Sequence, residues 1–411
     1  MSNKTALDVN FVRSQFPAFN SSDLKSQCFF ENAGGSYVAK QVIDKLMKFY
    51  TDCKVQPYSP FPAAESAGHA MDRSLETVSA MLNVSSTTIH FGPSTSQNTY
   101  VLANALRESN PDRKTIIVTN QDHEANTGAW RKLDQSGFTV REWKVDPEDG
   151  SLCIEDLELL LDSDVNLVTF PHCSNIVAYE NPVKEICRVV KEAGARACVD
   201  GVSFAPHSFP DITELGADIY LFSSYKTYGP HLGIMFVDTE LNQLLANQGH
   251  YFNSHDISKR LTPAGPDHAQ IAAAGGMPEY ISTVYNHHFQ NDRSLAEKTR
   301  VVGEMQRAHE SNLLNPLLEY LEQNRAVRIL GSTDASIRLP TVALDLNRPA
   351  APIAKSLGEK KIMASGGDFY ASRLLDALGV RQEHGVLRLS FVHYTSHSDI
   401  DRLIAALDEL L

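Results

Sequence analysis

Residues 197–238 read ACVDGVSFAPHSFPDITELGADIYLFSSYKTYGPHLGIMFVD. Three short runs in this stretch, 197–200, 219–223 and 233–238, are rich in β-branched or aromatic residues and bounded by turn residues. Each predicts a strand. Upstream, residues 115–120, 138–145 and 165–170 have the same character. Between two of these runs lies a marked helix. Asn181 is placed to cap it, Pro182 takes its first position, and Gly194 ends it. Its apolar residues Val183, Ile186, Cys187 and Val190 follow the i, i+3, i+4, i+7 rule. Strands alternating with helices over about 80–240 require crossover connections. They predict an α/β fold with a mostly parallel sheet covered on both faces.

Outward from this core the pattern changes. A long helical run covers 292–324, short strands such as 341–345 follow, and a helix over 398–411 carries the apolar stripe Ile400, Leu403, Ile404 and Leu407. This predicts a large domain over 25–285 and a smaller α+β domain built from 1–24 and 286–411. No repeat or low-complexity linker separates them, so the two should pack closely.

Composition excludes several classes. The 411 residues carry a formal charge of −13, from 37 basic and 50 acidic side chains. That argues against nucleic acid as the main partner, because phosphate backbones need clustered Lys and Arg. No stretch approaches the roughly 20 apolar residues needed to span a bilayer. Residues 1–16 contain no apolar core of a signal peptide. The six cysteines, Cys28, Cys53, Cys153, Cys173, Cys187 and Cys198, show no paired spacing, so neither a metal site nor a disulfide framework is expected. A reducing cytoplasm fits.

Three signals on the large domain carry chemistry. Asp200 ends an apolar strand, where ligands of open α/β sheets bind. Lys226 follows another strand in Ser223-Ser224-Tyr225-Lys226-Thr227-Tyr228-Gly229-Pro230; partial burial there lowers a lysine pKa and frees the amine as a nucleophile. Gly92-Pro93-Ser94-Thr95-Ser96 joins a strand to a helix beginning near Gln97, and its hydroxyls and N–H groups form a phosphate cup. Each alone has an ordinary reading as a surface lysine, a turn residue or a helix cap. Pyridoxal 5′-phosphate (PLP) needs all three: a lysine to attach it, a carboxylate to keep its ring nitrogen protonated, and an anion site.

With these residues in place, the chain resembles the class V aminotransferase family, and within it the cysteine desulfurases and selenocysteine lyases, over nearly its whole length. Six motifs carry the resemblance in order. Val12-Arg13-Ser14-Gln15-Phe16-Pro17 is similar to the Arg…Phe-Pro opening of that group. Phe30-Glu31-Asn32-Ala33-Gly34 resembles its Leu-Asp-Asn-Ala-Ala signature, and Ser94-Thr95-Ser96 its Gly-Thr-Thr turn. Asp122-His123-Glu124-Ala125-Asn126 with Trp130 resembles Glu-His-His-Ala-Asn…Trp, and His172-Cys173-Ser174-Asn175 resembles His-x-Ser-Asn. Arg388-Leu389-Ser390-Phe391 with Tyr394-Thr395 resembles Arg-x-Ser-x…Tyr-Asn-Thr.

The resemblance implies the PLP-dependent transferase fold of type I and a homodimer whose 250–268 segment crosses between subunits. It implies that His123 stacks on the cofactor ring and that Asn175 approaches its phenolic oxygen. Thr95, Ser96, Ser203, Ser223, Tyr225, Lys226 and Asp200 would complete the cofactor site. Asn32 and Ala33 would face the substrate, and Arg388 would clamp its α-carboxylate, a bidentate task suited to a planar guanidinium.

The departures matter as much. Ser203 stands where the family has Gln, and Tyr225 where it has His. The dimer-crossing Gly-Thr-Pro is reduced to Gly265-Pro266. Where desulfurases have Arg-x-Gly-His-His-Cys-Ala, this chain has Ser365-Gly366-Gly367-Asp368-Phe369-Tyr370-Ala371. Tyr370 thus replaces the persulfide-forming cysteine, and Ser365 the arginine. The expected activity is PLP chemistry on an amino acid at Cα or Cβ, with Lys226, His123, Asp200 and Tyr370 as catalytic groups. A C–S (or related) β-lyase ranks first, an epimerase or aminotransferase second, with a true cysteine desulfurase as a further alternative. The rival from another class is an inactive binding module on the same fold.

Overall fold

The computed structural model describes residues 6–411; residues 1–5 of the stretch assigned to the smaller domain lie outside the described residues. Strand β1 (Cys28–Phe29) comes first. Seven strands follow: β2 (Ile89–Gly92), β3 (Thr115–Thr119), β4 (Thr139–Trp143), β5 (Val165–Pro171), β6 (Arg196–Asp200), β7 (Ile219–Ser223) and β8 (Gly233–Val237). They form one sheet in the order β2-β8-β7-β6-β5-β3-β4. The β4, β3, β5, β6 and β7 strands pair in parallel, and β8 is antiparallel to both its neighbours. Every residue of β3, β7 and β8 is buried, as helices on both faces require. The edge strand β4 instead carries half-buried Arg141 and Glu142, which discourage edge pairing. Because β3, β5, β6 and β7 are parallel, their carboxyl ends share one rim. Asp122-His123, His172–Asn175, Asp200 and Ser223–Lys226 therefore gather there.

The Val183–Glu192 helix buries Val183, Ile186, Cys187 and Val190 as its periodicity requires, and Gly194 follows it with φ +75°. Its start differs from the sequence reading. Pro182 occupies the cap position rather than the first turn, and Asn181 caps nothing. The Asn181 amide is buried and donates instead to the Pro171 carbonyl and to Gln121 Oε1, both at 2.7 Å. These two bonds fix the side chain, and its Oδ1, the atom a cap would use, is buried without a partner among the described residues.

Five further strands are β9 (Arg328–Ile329), β10 (Thr341–Asp345), β11 (Ile362–Met363), β12 (Ser365–Gly367) and β13 (Val386–Ser390). Four make an antiparallel sheet in the order β12-β13-β10-β9, while β1 pairs in parallel with β11. The long Leu295–Gln323 helix starts at a Ser294/Glu297 capping box. Its Leu313, Leu317 and Leu321 meet Val342 and Leu387 of this sheet and Ile400, Leu403 and Leu407 of the closing His397–Leu410 helix in one cluster. The N-terminal segment sits between the two sheets' cores. Val12 and Phe16 enter the larger hydrophobic cluster, while Arg13 pairs with Asp399 of the closing helix at 2.8 Å. No helix among the described residues is long and apolar enough to cross a membrane.

Candidate active site

Lys226 lies in the nine-residue turn between β7 and β8. Ser224 pins this turn: its N–H donates to Leu232 O at 2.9 Å, its hydroxyl donates to Pro230 O, and its carbonyl accepts from Gly229 N and Thr227 Oγ1. Lys226 is 9% exposed. Burial, then the Arg388 charge, lowers it to about 8, against an opposing pull from Asp200 and Glu31. Asp200 ends β6, buried, with Oδ1 accepting from Val202 N at 2.8 Å. Burial raises its carboxyl to about 6, against the Val202 N–H and Lys226. No ion pair within 4.0 Å joins Lys226 to Asp200 among the described residues, and the two buried ionisable groups line one cavity.

The same cavity is lined by Ser94, Thr95, Ser96, His123, Asn175, Ser203, Ser223 and Tyr225. The Thr95–Glu108 helix opens onto it, capped by Ser94, whose Oγ accepts from Gln97 N at 3.2 Å. The first N–H groups of a helix have no partner inside it, which favours an anion at this wall. Thr95 Oγ1 lies 2.7 Å from Ser223 Oγ, tying the helix start to β7. Gly233 is required here: a Cβ would fall 2.3 Å from the Ser94 carbonyl carbon and 2.5 Å from Thr95 N. Tyr225 stacks on His231, with centroids 4.7 Å apart and planes 7° off parallel.

His123 caps the Glu124–Arg131 helix, its Nδ1 accepting from Ala125 N at 3.0 Å. The ring is therefore neutral with its proton on Nε2. Burial first, then the Lys226 and Arg388 charges, push its pKa down to about 3. Behind it, buried Asp122 accepts from Asn126 Nδ2 and Thr119 Oγ1; burial, and the nearby Asp200, push its pKa well up. Asn175 donates through Nδ2 to Phe369 O at 3.0 Å, and its buried Oδ1 has no partner.

Four of the residues read from the sequence stand off the cavity wall. Asn32 Oδ1 accepts from Tyr394 OH, and the Ala33 N–H donates to Ser390 Oγ at 2.8 Å, so these polar groups are engaged within the protein. Arg388, in the middle of β13, is buried. Its Nη2 meets Glu31 Oε1 at 2.9 Å, its Cζ lies 3.8 Å from the Phe369 ring centroid, and its Nε has no partner. Tyr370 is 71% exposed, its ring 5.3 Å from that of His123, and its carbonyl accepts from Glu124 N at 2.8 Å.

Ser94, Gln121, Cys173 and His231 also line the cavity. The turn sequence Gly229-Pro230-His231, three residues after Lys226, is the available signal for His231. Nothing local marks Gln121, whose amide is consumed by Asn181 and Gly150. Glu31, the acidic residue of the Phe30–Gly34 motif, was not singled out, and its pairing with Arg388 spans 357 residues of chain.

The unpaired amine, the buried carboxylate and the helix N-terminus fit a small molecule with a carbonyl carbon, a basic ring nitrogen and a phosphate. The comparisons agree. The sequence model of the family described as Aminotransferase class-V matches residues 28–403. The aminotransferase-like protein FGM3 of Gibberella zeae is 31% identical, over 99% of both chains. The cysteine desulfurase-like protein ustD of Aspergillus flavus is 28% identical, over 99% of this chain and 92% of that one. A solved apo cysteine desulfurase from Thermococcus onnurineus superposes with a TM-score of 0.84 at 19% identity, covering 98% of each chain, which establishes the type I fold of PLP-dependent transferases. On its fold and on these matches, the chain belongs to the class V aminotransferase family.

Proposed function

We propose that this protein is a PLP-dependent enzyme that acts on an amino acid at Cα or Cβ, as a C–S or related β-lyase. Class V aminotransferases and cysteine desulfurases are PLP enzymes. The observation that carries the reading is the buried Lys226 amine, lowered to about 8, in one cavity with the buried Asp200 carboxylate. When bound, the cofactor would accept the electron pair released at the substrate Cα. In this reading Lys226 attaches it, Asp200 faces its ring nitrogen and His123 its ring face. Thr95, Ser96 and Ser223 surround its phosphate, and Asn175 its phenolic oxygen. The family resemblance supports these assignments, while Ser203 and Tyr225, which line the same cavity, complete the site where the family has Gln and His.

The remaining work falls to the chain's own groups. Arg388 holds the α-carboxylate and so fixes which Cα bond is aligned for cleavage. The freed Lys226 amine removes and returns the Cα proton, a task that suits a pKa near working pH. The Tyr370 phenol, at the mouth beside His123, donates a proton or hydrogen bond to the group leaving Cβ. It cannot take up sulfur as a persulfide, which favours elimination over desulfuration. The assignment of 25–285 to a large domain and of 1–24 with 286–411 to a small one belongs to the same reading, as does a cytoplasmic setting for six unbridged cysteines.

The test is a screen of amino acids, including L-cysteine and thioether derivatives, against the cofactor-loaded protein with product identification. A 2-oxo acid plus a released thiol or sulfide supports the lyase. Amino-group transfer to an added oxo acid, or racemisation alone, replaces it with the aminotransferase or epimerase. No spectral response to any amino acid would favour the inactive binding module.

A further inference from the structure

The loop that replaces the desulfurase thiol segment does more than lack a cysteine. Phe369 sets its ring against the Arg388 guanidinium, with Cζ over the ring 3.8 Å from its centroid. Glu31 Oε1 holds Nη2 from another side at 2.9 Å, and Nε is left buried without a partner. A guanidinium clamped on one face and at one nitrogen has a fixed plane, and its remaining donors point one way.

The loop is itself fastened beside the cavity, to its wall residue Asn175 and to Glu124. Asn175 Nδ2 donates to Phe369 O at 3.0 Å, Glu124 N donates to Tyr370 O at 2.8 Å, and Arg373 pairs with Glu124. Phe369 and Tyr370 both adopt the left-handed region, at φ +52° and +56°. That conformation is unfavourable for aromatic residues, and two in succession persist only where surrounding contacts impose it. Asp368 contributes by accepting from Tyr370 N at 3.0 Å and from Ser372 Oγ at 3.1 Å.

We propose that Phe369 is a positioning residue that holds the Arg388 guanidinium edge-on for the substrate carboxylate, so that carboxylate binding depends on the docked state of the 368–371 loop that follows β12. The inference rests on the reading of Arg388 as the carboxylate clamp. It adds that the loop delivers an aromatic face to the clamp where a desulfurase delivers a thiol to the substrate. Because the plane of the guanidinium depends on Phe369, carboxylate binding and loop docking are coupled.

The experiment titrates the holoenzyme with the standard L-amino acids, following cofactor absorbance, and carries the tightest binder into variants F369A, F369L, F369Y and R388A. F369A and F369L should raise its Kd, and KM where turnover is seen, about tenfold, with kcat within about threefold. Their melting temperature and their absorbance without amino acid should match wild type, and F369Y should restore affinity because it keeps the aromatic face. Wild-type affinity in F369A and F369L beside weak binding in R388A would overturn the inference and leave the clamp standing. Equal loss in F369Y and F369L would overturn it too, since the ring face would not be what matters. Wild-type affinity in R388A, or no response of the wild type to any amino acid, removes the clamp reading and the inference with it.

Discussion

Burial sets the two decisive side chains against their own charges. Asp200 rises to about 6, so its penalty is absent at low pH, grows as pH climbs from the ordinary 3.8, and is complete above about 6. Lys226 falls to about 8 from 10.5, so its penalty is complete below about 8 and fades as pH rises toward 10.5. Near pH 7 the cofactor-free chain bears both. Asp200→Asn should therefore stabilise the cofactor-free protein at pH 7.5 by about 1–3 kcal/mol, and by less at pH 5. Urea denaturation at the two pH values measures this; a variant less stable at both would show that the carboxylate is well accommodated. The same substitution should slow turnover of the loaded protein by about two orders of magnitude, because a neutral amide cannot balance a protonated ring nitrogen.

Lys226→Ala should lose the covalent, borohydride-reducible link to the cofactor. Lys226→Arg should do no better, since guanidinium stays protonated. Intact-mass measurement after borohydride treatment settles both, and a retained adduct in the alanine variant would remove Lys226 from its role.

Elements, rather than single residues, decide what kind of sulfur chemistry is open. The 368–371 loop brings a phenol to the mouth of the cavity, and no cysteine of the chain lies beyond position 198. Cys173 does line the cavity, but it is buried and its thiol is pushed well up, chiefly by desolvation, which suppresses the thiolate a persulfide requires. Turnover with L-cysteine should leave the protein without bound sulfur. A turnover-dependent gain of one sulfur in the intact mass, abolished by mutating a single cysteine, would restore the desulfurase reading.

The turn after Lys226 has its own support. Tyr228 lies at φ +68°, and its hydroxyl donates to Pro206 O. His393 Nδ1 is 3.2 Å from that hydroxyl and Nε2 is 2.6 Å from Tyr280 OH. With the Tyr228 proton committed, His393 donates through Nδ1 and accepts from Tyr280, which fixes it neutral. Tyr228→Phe should destabilise the fold by about 1–2 kcal/mol, read from the shift of the denaturation midpoint. No change would mean that the strut carries no load.

At the scale of the molecule, the exposed apolar side chains ask for a partner. Met47, Tyr50, Val55, Tyr58 and Phe61 fall in one stretch of chain, and Tyr251, 86% exposed, adjoins exposed Phe252. Solvent exposure of so many large apolar groups favours a protein interface. The 250–268 segment that holds Tyr251 and Phe252 resembles the family's subunit-crossing portion, so a homodimer is expected, with Phe252→Asp shifting it toward monomer. Light scattering coupled to gel filtration reads the mass, and full activity in a monomer at nanomolar dilution would count against the dimer.

The sequence by itself determined the strands and helices of the parallel sheet and the stripe of the closing helix, because side-chain periodicity is a local property. It also marked Lys226 and Asp200, since each ends a short apolar run whose neighbours announce the turn. Local reading failed where tertiary contacts compete for a polar group. Asn181 looks like a helix cap and instead satisfies a buried strand-end carbonyl. Asn32 Oδ1 and the Ala33 N–H are held by Tyr394 and Ser390 from more than 350 residues away, contacts no local pattern shows. The environment of Arg388 was equally out of reach: Glu31 and Phe369 reach it only because β13 sits in the middle of its sheet, with the residue 31 strand end on one side and the 368–371 loop over its face. Spacing along the chain locates groups that act through their neighbours. Only the folded chain decides which charges are left unpaired, because that depends on what burial removes from water and on which distant atoms replace it.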